Sequence, residues 1–328
     1  MSELRFEGVS VTHGWGRRAV RAVESVDLVV PSGTVLGLVG ESGSGKSTLA
    51  RAAVGLLPLS AGRITLDGDP LVGRAGHASR RDLQMVFQDP YSSLDPRMTV
   101  GESVSEALRR GTVRGAQARR AEVARLLELV DLDPGRMDAL PEELSGGQRQ
   151  RVALARALAA QPRTVLADEI TSALDVSVQA RVLNLVRDLN RQLGLGMLFI
   201  SHNLAVVRYV SDLVAVMYAG RIVEQGPAEQ VFGFPRHPYT RTLLDAVPGR
   251  GELADAVPVV ALSEPVDPHD PPTGCRFHPS CPVGPLLRPE RTECLTRDPL
   301  EVVWQREHRA ACHFSAPAVP ASQEGLHR

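Results

Sequence analysis

Gly40-Glu-Ser-Gly-Ser-Gly-Lys-Ser-Thr48 is the stretch that decides the fold. It follows the apolar run Val35-Leu-Gly-Leu-Val39 and leads into Leu49-Ala-Arg-Ala-Ala-Val54, which reads as a helix. A strand, a glycine loop and a helix in that order turn GxxxxGKS/T into a phosphate cradle. Gly40, Gly43 and Gly45 let the backbone turn tightly, so that successive N–H groups point at a β-phosphate with a helix N-terminus behind them. Ser42 and Thr48 complete the loop. Lys46 is spaced to reach the β- and γ-phosphates, and the Ser47 hydroxyl to hold Mg²⁺. The stretch reads as a nucleotide phosphate site.

The 328 residues suffice for one large domain or for a core with a smaller attachment, and a hydrophobic content of 43% permits a sizeable core. A formal net charge of -1 gives no broad electrostatic case for nucleic-acid binding. No apolar run is long enough to span a bilayer, and Met1-Ser-Glu-Leu-Arg-Phe6 does not read as a secretory leader. The default expectation is a soluble cytoplasmic chain able to dock on a membrane protein.

Outward from the glycine loop, residues 4–12 and 20–30 read as a strand pair, with Val26, Leu28 and Val30 alternating before the turn at Pro31-Ser-Gly33. Between them, Trp15 is flanked by glycines and is a candidate to stack on a purine base, with His13 the alternative. Gly62–Gly68 reads as an exposed strand with a turn, and Leu83–Gln88 as a strand that delivers Gln88 to a loop. An amide there can sense Mg²⁺ or water near a γ-phosphate. Residues 100–110, 116–129 and 147–160 carry helical periodicity, a helical insertion in an α/β pattern. The arginines from Arg109 to Arg120 read as a solvated face.

Leu144-Ser-Gly-Gly-Gln148 opens the last of these helices, a second anion site at a helix start. Two copies facing head to tail could each complete the other's nucleotide site through Ser145, Gly146, Gly147 and Gln148. Thr164-Val-Leu-Ala-Asp168-Glu169 reads as a buried strand that presents Asp168 to Mg²⁺ and Glu169 to an attacking water. Asp175 precedes a helix over 176–191 and could couple one site to the other. Gly196–His202 is one more apolar strand, placing His202 to bond a γ-phosphate, and Leu213–Glu224 reads as a terminal hairpin.

This set resembles the ATPase subunits of ABC transporters. Gly40–Ser47 is similar to Walker A, Gln88 to the Q-loop, Leu144–Gln148 to the signature sequence and Asp168 to Walker B. Glu169 then matches the catalytic carboxylate, Asp175 the D-loop and His202 the switch histidine, over residues 1–240. Phe87-Gln-Asp-Pro-Tyr-Ser-Ser-Leu-Asp-Pro-Arg97, His237-Pro-Tyr-Thr240 and the tail from Gly274 resemble the dipeptide, oligopeptide and nickel importer class. The resemblance implies an α/β fold: a P-loop NTPase core, a helical subdomain over about 89–161, an antiparallel strand subdomain, and a cysteine-rich extension over 241–328. It also implies ATP and Mg²⁺, a second ATPase, two membrane permeases, an extracytoplasmic binding protein and a place on the cytoplasmic face of the membrane. One departure is Ile170, where the family usually has proline and a fixed φ. ATPase activity is still expected, at an altered rate if the freer backbone matters.

Residues 241–273 read as an irregular connection rich in proline and aspartate. Cys275, Cys281, Cys294 and Cys312 follow in the spacing C-x5-C-x12-C-x17-C. Four thiolates suit a [4Fe–4S] cluster or zinc, and spacing alone leaves the metal, or metal-free thiols, open. The resemblance favours [4Fe–4S]. His278, His308 and His313 lie nearby and could instead be ligands, but read better as surface groups or neighbours of the ligands. A competing function, a soluble ABC ATPase acting on nucleic acid or the ribosome, fits less well with one nucleotide unit and no basic tail. The residues do not choose between peptides and nickel as the substrate.

Overall fold

The computed structural model describes residues 3–14, 16, 19–71, 79–89, 93–109, 111–172, 174–246, 266–267, 269–301 and 307–315. Strands β1 (Glu3–His13) and β2 (Val20–Pro31) pair antiparallel, and their alternation of apolar and polar residues buries one face. β3 (Val35–Val39) is buried at every position and runs into the phosphate loop and α1 (Lys46–Ala53). β4 (Ala61–Leu66) pairs with β1 and then with the short β5 (Asp69–Pro70), completing a four-stranded sheet in the order β2-β1-β4-β5.

The second sheet carries the site. β6 (Leu83–Val86) leads to a helical unit of α2 (Val100–Ala107), α3 (Ala116–Leu129) and α4 (Gly146–Ala159). β7 (Thr164–Asp168), α5 (Val176–Leu193), β8 (Gly196–Ile200), α6 (Leu204–Val210), β9 (Leu213–Tyr218) and β10 (Arg221–Pro227) follow. With β11 (Arg309–Ala310) at its edge, the sheet has the order β11-β10-β9-β3-β8-β7-β6. β3 is parallel to β8 and β9, and β7 is parallel to β6 and β8, so the phosphate loop, Asp168 and His202 all lie at the C-terminal ends of neighbouring strands. In a parallel sheet that is where ligands bind.

The apolar runs of β3, β7 and β8 serve two different cores. Val35, Val39, Val165, Met197 and Phe199 face the helical unit, packing with Val104, Leu126, Leu127 and Val152. Leu36, Leu38, Leu166, Leu198 and Ile200 face the other way, toward Leu49 and Ala53 of α1 and Phe6 and Val26 of the first sheet. A period of two sends neighbouring residues to opposite faces, and both faces are covered, so the strands read as unbroken hydrophobic runs.

The helical boundaries follow their caps. Thr99 accepts the N–H of Glu102 while Glu102 accepts that of Thr99, which starts α2. Residues 241–245 depart from the irregular connection expected there: they end α8 (Pro238–Asp245), which follows α7 (Ala228–Gly233). Pro238 at the first helical turn and the ring of His237 as its cap explain the start. The rest of the expected connection lies almost wholly outside the described residues. A short helix, α9 (Glu293–Thr296), belongs to the cysteine-bearing segment. Among the described residues no helix is long and apolar enough to cross a membrane.

Candidate nucleotide site

The phosphate loop is tight because its neighbours are close. Gly45 sits at φ 107°, and a Cβ there would lie 2.4 Å from the carbonyl oxygen of Ala22, so only glycine fits. The Lys46 ammonium is buried and donates to Gly40 O at 2.8 Å, Glu41 O at 2.7 Å and Ser44 Oγ at 3.3 Å. Burial lowers its pKa, opposed by the nearby charges of Glu169, Asp168 and Glu41.

Ser47 Oγ donates to Asp168 Oδ1 at 2.9 Å, joining the start of α1 to the end of β7. Burial raises the Asp168 carboxyl against the pull of that hydrogen bond, and the charge of Glu169 raises it further. Ser47 and Asp168 together present two hard oxygen donors beside the phosphate loop. They fit Mg²⁺, which takes one or two side chains and leaves its other positions to phosphate and water.

Glu169 leaves the strand at φ 48°, with its N–H on Ile200 O at 3.0 Å. Its carboxylate lies between two other elements: Gln88 Nε2 donates to Oε2 at 3.0 Å, and His202 Nδ1 lies 3.2 Å from Oε1. Gln88 also reaches Ser172 Oγ at 3.4 Å. The residues singled out in the sequence on β3, β6, β7 and β8 therefore meet in one place. A cavity of about 650 Å³ opens beside Asp168 and Gln88, walled by Arg51, Phe87 and, from α4, Ala153 and Arg156.

Ser145 and Gln148 satisfy each other as a capping box: Gln148 N donates to Ser145 Oγ at 3.3 Å and Ser145 N to Gln148 Oε1 at 2.9 Å. Gly147 lets α4 approach α5, since a Cβ there would lie 2.4 Å from Val178 Cγ1. Asp175 caps α5, accepting from Val178 N at 2.9 Å and from Ser177 Oγ at 2.7 Å. Trp15 lies outside the described residues. His13 is described and exposed, its Nε2 3.5 Å from Thr48 Oγ1.

The cysteine tail corrects an expectation. Cys275, Cys281, Cys294 and Cys312 line one cavity of only about 10 Å³, with Phe277, Phe314 and His237. All four are free thiols. Burial pushes the Cys275 thiol up to about 12 and the Cys281 thiol up to about 11. Among the described residues no group of three or more His, Cys, Asp or Glu side chains is placed to hold a metal ion. Both the [4Fe–4S] cluster and the zinc alternative are set aside. His308, read from the sequence as a surface group or a neighbour of the ligands, is buried, and its Nε2 lies 2.7 Å from Oε1 of the equally buried Glu224.

Sequence reasoning missed Tyr239 and Glu41 at this site. The Glu41 N–H donates to the Tyr239 hydroxyl at 3.0 Å. The His237-Pro-Tyr-Thr240 motif was visible, but nothing local tied it to the phosphate loop.

Comparison with known proteins agrees with this geometry. Residues 23–172 match the family described as ABC transporter, and residues 223–284 match the oligopeptide/dipeptide transporter C-terminal region. The chain is 43% identical, over 94% of its length and 87% of the relative's, to the probable peptide ABC transporter ATP-binding protein y4tS of Sinorhizobium fredii. It is 46% identical, over 91% of its length and 88% of the relative's, to the putative peptide import ATP-binding protein BAB2_1053 of Brucella abortus. These names speak of peptides and ATP. Among solved structures, the ATP-binding cassette MJ0796 bound to ADP and Pi matches with a TM-score of 0.62 and 29% identity, covering 69% of this chain and 98% of that one. cbiO1 from Clostridium perfringens matches with a TM-score of 0.62 and 28% identity, covering 70% and 90%. The chain belongs to the ATP-binding subunits of ABC transporters, in the branch that carries the oligopeptide/dipeptide C-terminal region.

Proposed function

We propose that the chain is the ATP-hydrolysing subunit that powers uptake of peptides through a pair of membrane permeases. The observation that carries this is the Glu169 carboxylate, held between Gln88 and His202 one residue beyond the Ser47–Asp168 pair. Peptides rather than nickel are favoured by the names of the relatives.

In this reading the loop Gly40–Thr48 cradles the phosphates, with Ser42, Gly43, Gly45 and Thr48 in the cradle and the Lys46 ammonium turning from loop carbonyls to phosphate oxygens. Ser47 and Asp168 hold Mg²⁺, with Gln88 nearby. The ion would neutralise charge on the phosphates as the γ-phosphate departs. Glu169 takes a proton from the attacking water, Gln88 and His202 keep its carboxylate aimed, and His202 bonds the γ-phosphate. His13 or Trp15 flanks the base. The Ser145–Gln148 segment of a second ATPase closes the site, and Asp175 links the two sites across that pairing.

The partners are a second ATPase, two permeases and an extracytoplasmic binding protein, which puts the chain at the cytoplasmic face of the membrane. The cavity beside Gln88 and α4 would receive a permease helix. We divide the chain into an ATPase unit over 1–240 and an extension over 241–328.

Glu169→Gln tests the reading. Hydrolysis should fall by roughly 10²–10⁴-fold, the usual worth of a general base, with ATP affinity retained. Turnover close to that of the wild type would remove Glu169 from its assigned role. Recovery of two permeases with the purified chain would support the transport assignment, and recovery of ribosomes in their place would overturn it.

A further inference from the structure

Tyr239 is wholly buried, and a buried phenol needs a partner for its hydroxyl. That partner is the Glu41 N–H in the phosphate loop, 198 positions earlier in the chain. The bond falls on an informative peptide. A trans peptide is a rigid plane with its C=O and N–H pointing in opposite directions. In the peptide between Gly40 and Glu41, the N–H donates to Tyr239 Oη at 3.0 Å while the C=O accepts from Lys46 Nζ at 2.8 Å. Fixing one end of that plane fixes the other.

We propose that Tyr239 is a positioning residue for the phosphate loop. Its hydroxyl sets the plane of the Gly40–Glu41 peptide and, through the Gly40 carbonyl, the resting place of the Lys46 ammonium. The proposal rests on the ATP-binding reading of the loop.

The mount that carries Tyr239 is stiff. Its ring packs against Tyr218 at 4.5 Å and Phe277 at 5.4 Å between centroids, and Tyr218 meets Phe277 edge-on at 5.3 Å. Phe277 stands between Cys275 and Cys281, so the cysteine-bearing segment holds the ring that holds the loop. Behind the ring, the Tyr239 N–H donates to His237 Nδ1 at 3.1 Å. The N–H groups of Arg236 and His237 both donate to the buried Glu224 carboxylate, at 2.7 and 2.9 Å. Burial raises the Tyr239 phenol, which keeps it protonated beside Glu41.

The test measures the dissociation constant of trinitrophenyl-ATP on the full chain and on Tyr239→Phe and Tyr218→Phe. Each variant removes one hydroxyl from the same aromatic cluster, but the Tyr218 hydroxyl bonds Ser280 and not the loop. Tyr239→Phe should weaken binding roughly three- to tenfold, the factor a single neutral hydrogen bond commands. Tyr218→Phe should stay within about twofold, even where its melting temperature falls as far. Equal shifts in both variants, or none in Tyr239→Phe, would overturn the proposal. Should Tyr239→Phe not fold, amide exchange in the wild-type chain decides: the Glu41 N–H should exchange far more slowly than in a free peptide, and free-peptide exchange sinks the idea. A wild-type chain that fails to bind the analogue removes the underlying ATP reading, and the proposal with it.

Discussion

Glu169 holds a backbone conformation that side chains avoid, at φ 48°. Such a residue persists only where its surroundings over-determine it, at a cost of about 1–3 kcal/mol. The next residue supplies part of that restraint. Ile170, expected to leave the backbone freer than a proline would, is 1% exposed and packs in the larger core. A proline there would push Glu169 toward extended backbone. Ile170→Ala should cost about 2–5 kcal/mol in urea unfolding, because it leaves a cavity under the carboxylate. His237 gives a second prediction. Burial pushes its imidazole down to about 4, so it stays neutral and accepts the Tyr239 N–H. Unfolded, it titrates near 6.5. Between those values the unfolded chain holds a proton that the folded chain does not, so stability rises with pH through this window and is complete above it. From pH 7 to pH 5 the chain should lose about 2 kcal/mol through this group, and His237→Asn, which can still cap α8, should lose that part of the slope. Denaturant titrations at the two pH values check it, and equal slopes would refute the assignment.

At the level of elements, the start of α4 depends on one serine and one glycine. Ser145→Ala removes the capping box and should cost about 1 kcal/mol. Gly147→Ala drives a methyl into Val178 and should cost about 1–3 kcal/mol by forcing α4 from α5, measurable as a lower melting temperature. Helices and strands of this kind were legible in the sequence because their signals are local. Ser145 and Gln148 are three residues apart, and the alternating faces of β1 and β2 repeat every two. The strand ends of the central sheet were legible too, since a glycine loop, an Asp-Glu pair and a Ser-His pair each follow a buried run. Illegible was whatever depends on a distant partner. His308 is buried because Glu224 awaits it 84 positions away, and β11 is two residues long with no pattern of its own. Cysteine spacing could count thiols but could not reveal how the fold places them, and among the described residues they form no group that could hold a metal ion.

Across the whole molecule, the C-terminal segment is fastened to the first sheet as well as to the phosphate loop. Glu24 of β2 receives Arg276 from that segment, Arg21 at 2.9 Å and Arg221 at 3.3 Å, while Arg276 also donates to the Ala219 carbonyl and Arg221 to Asp298. Glu24→Gln leaves the largely buried Arg276 without its paired anion and should lower stability by about 3 kcal/mol, read from denaturant unfolding. The distance in sequence between Tyr239 and the loop it holds also sets an order in time. Translation adds about 5–20 residues per second, so the phosphate loop is made roughly 10–40 s before the tyrosine 198 positions later. Through that interval the nascent chain carries the residues of the glycine loop without the hydroxyl that bonds its first peptide. On the role proposed for Tyr239, the last roughly three- to tenfold of ATP affinity waits until α8 has been made.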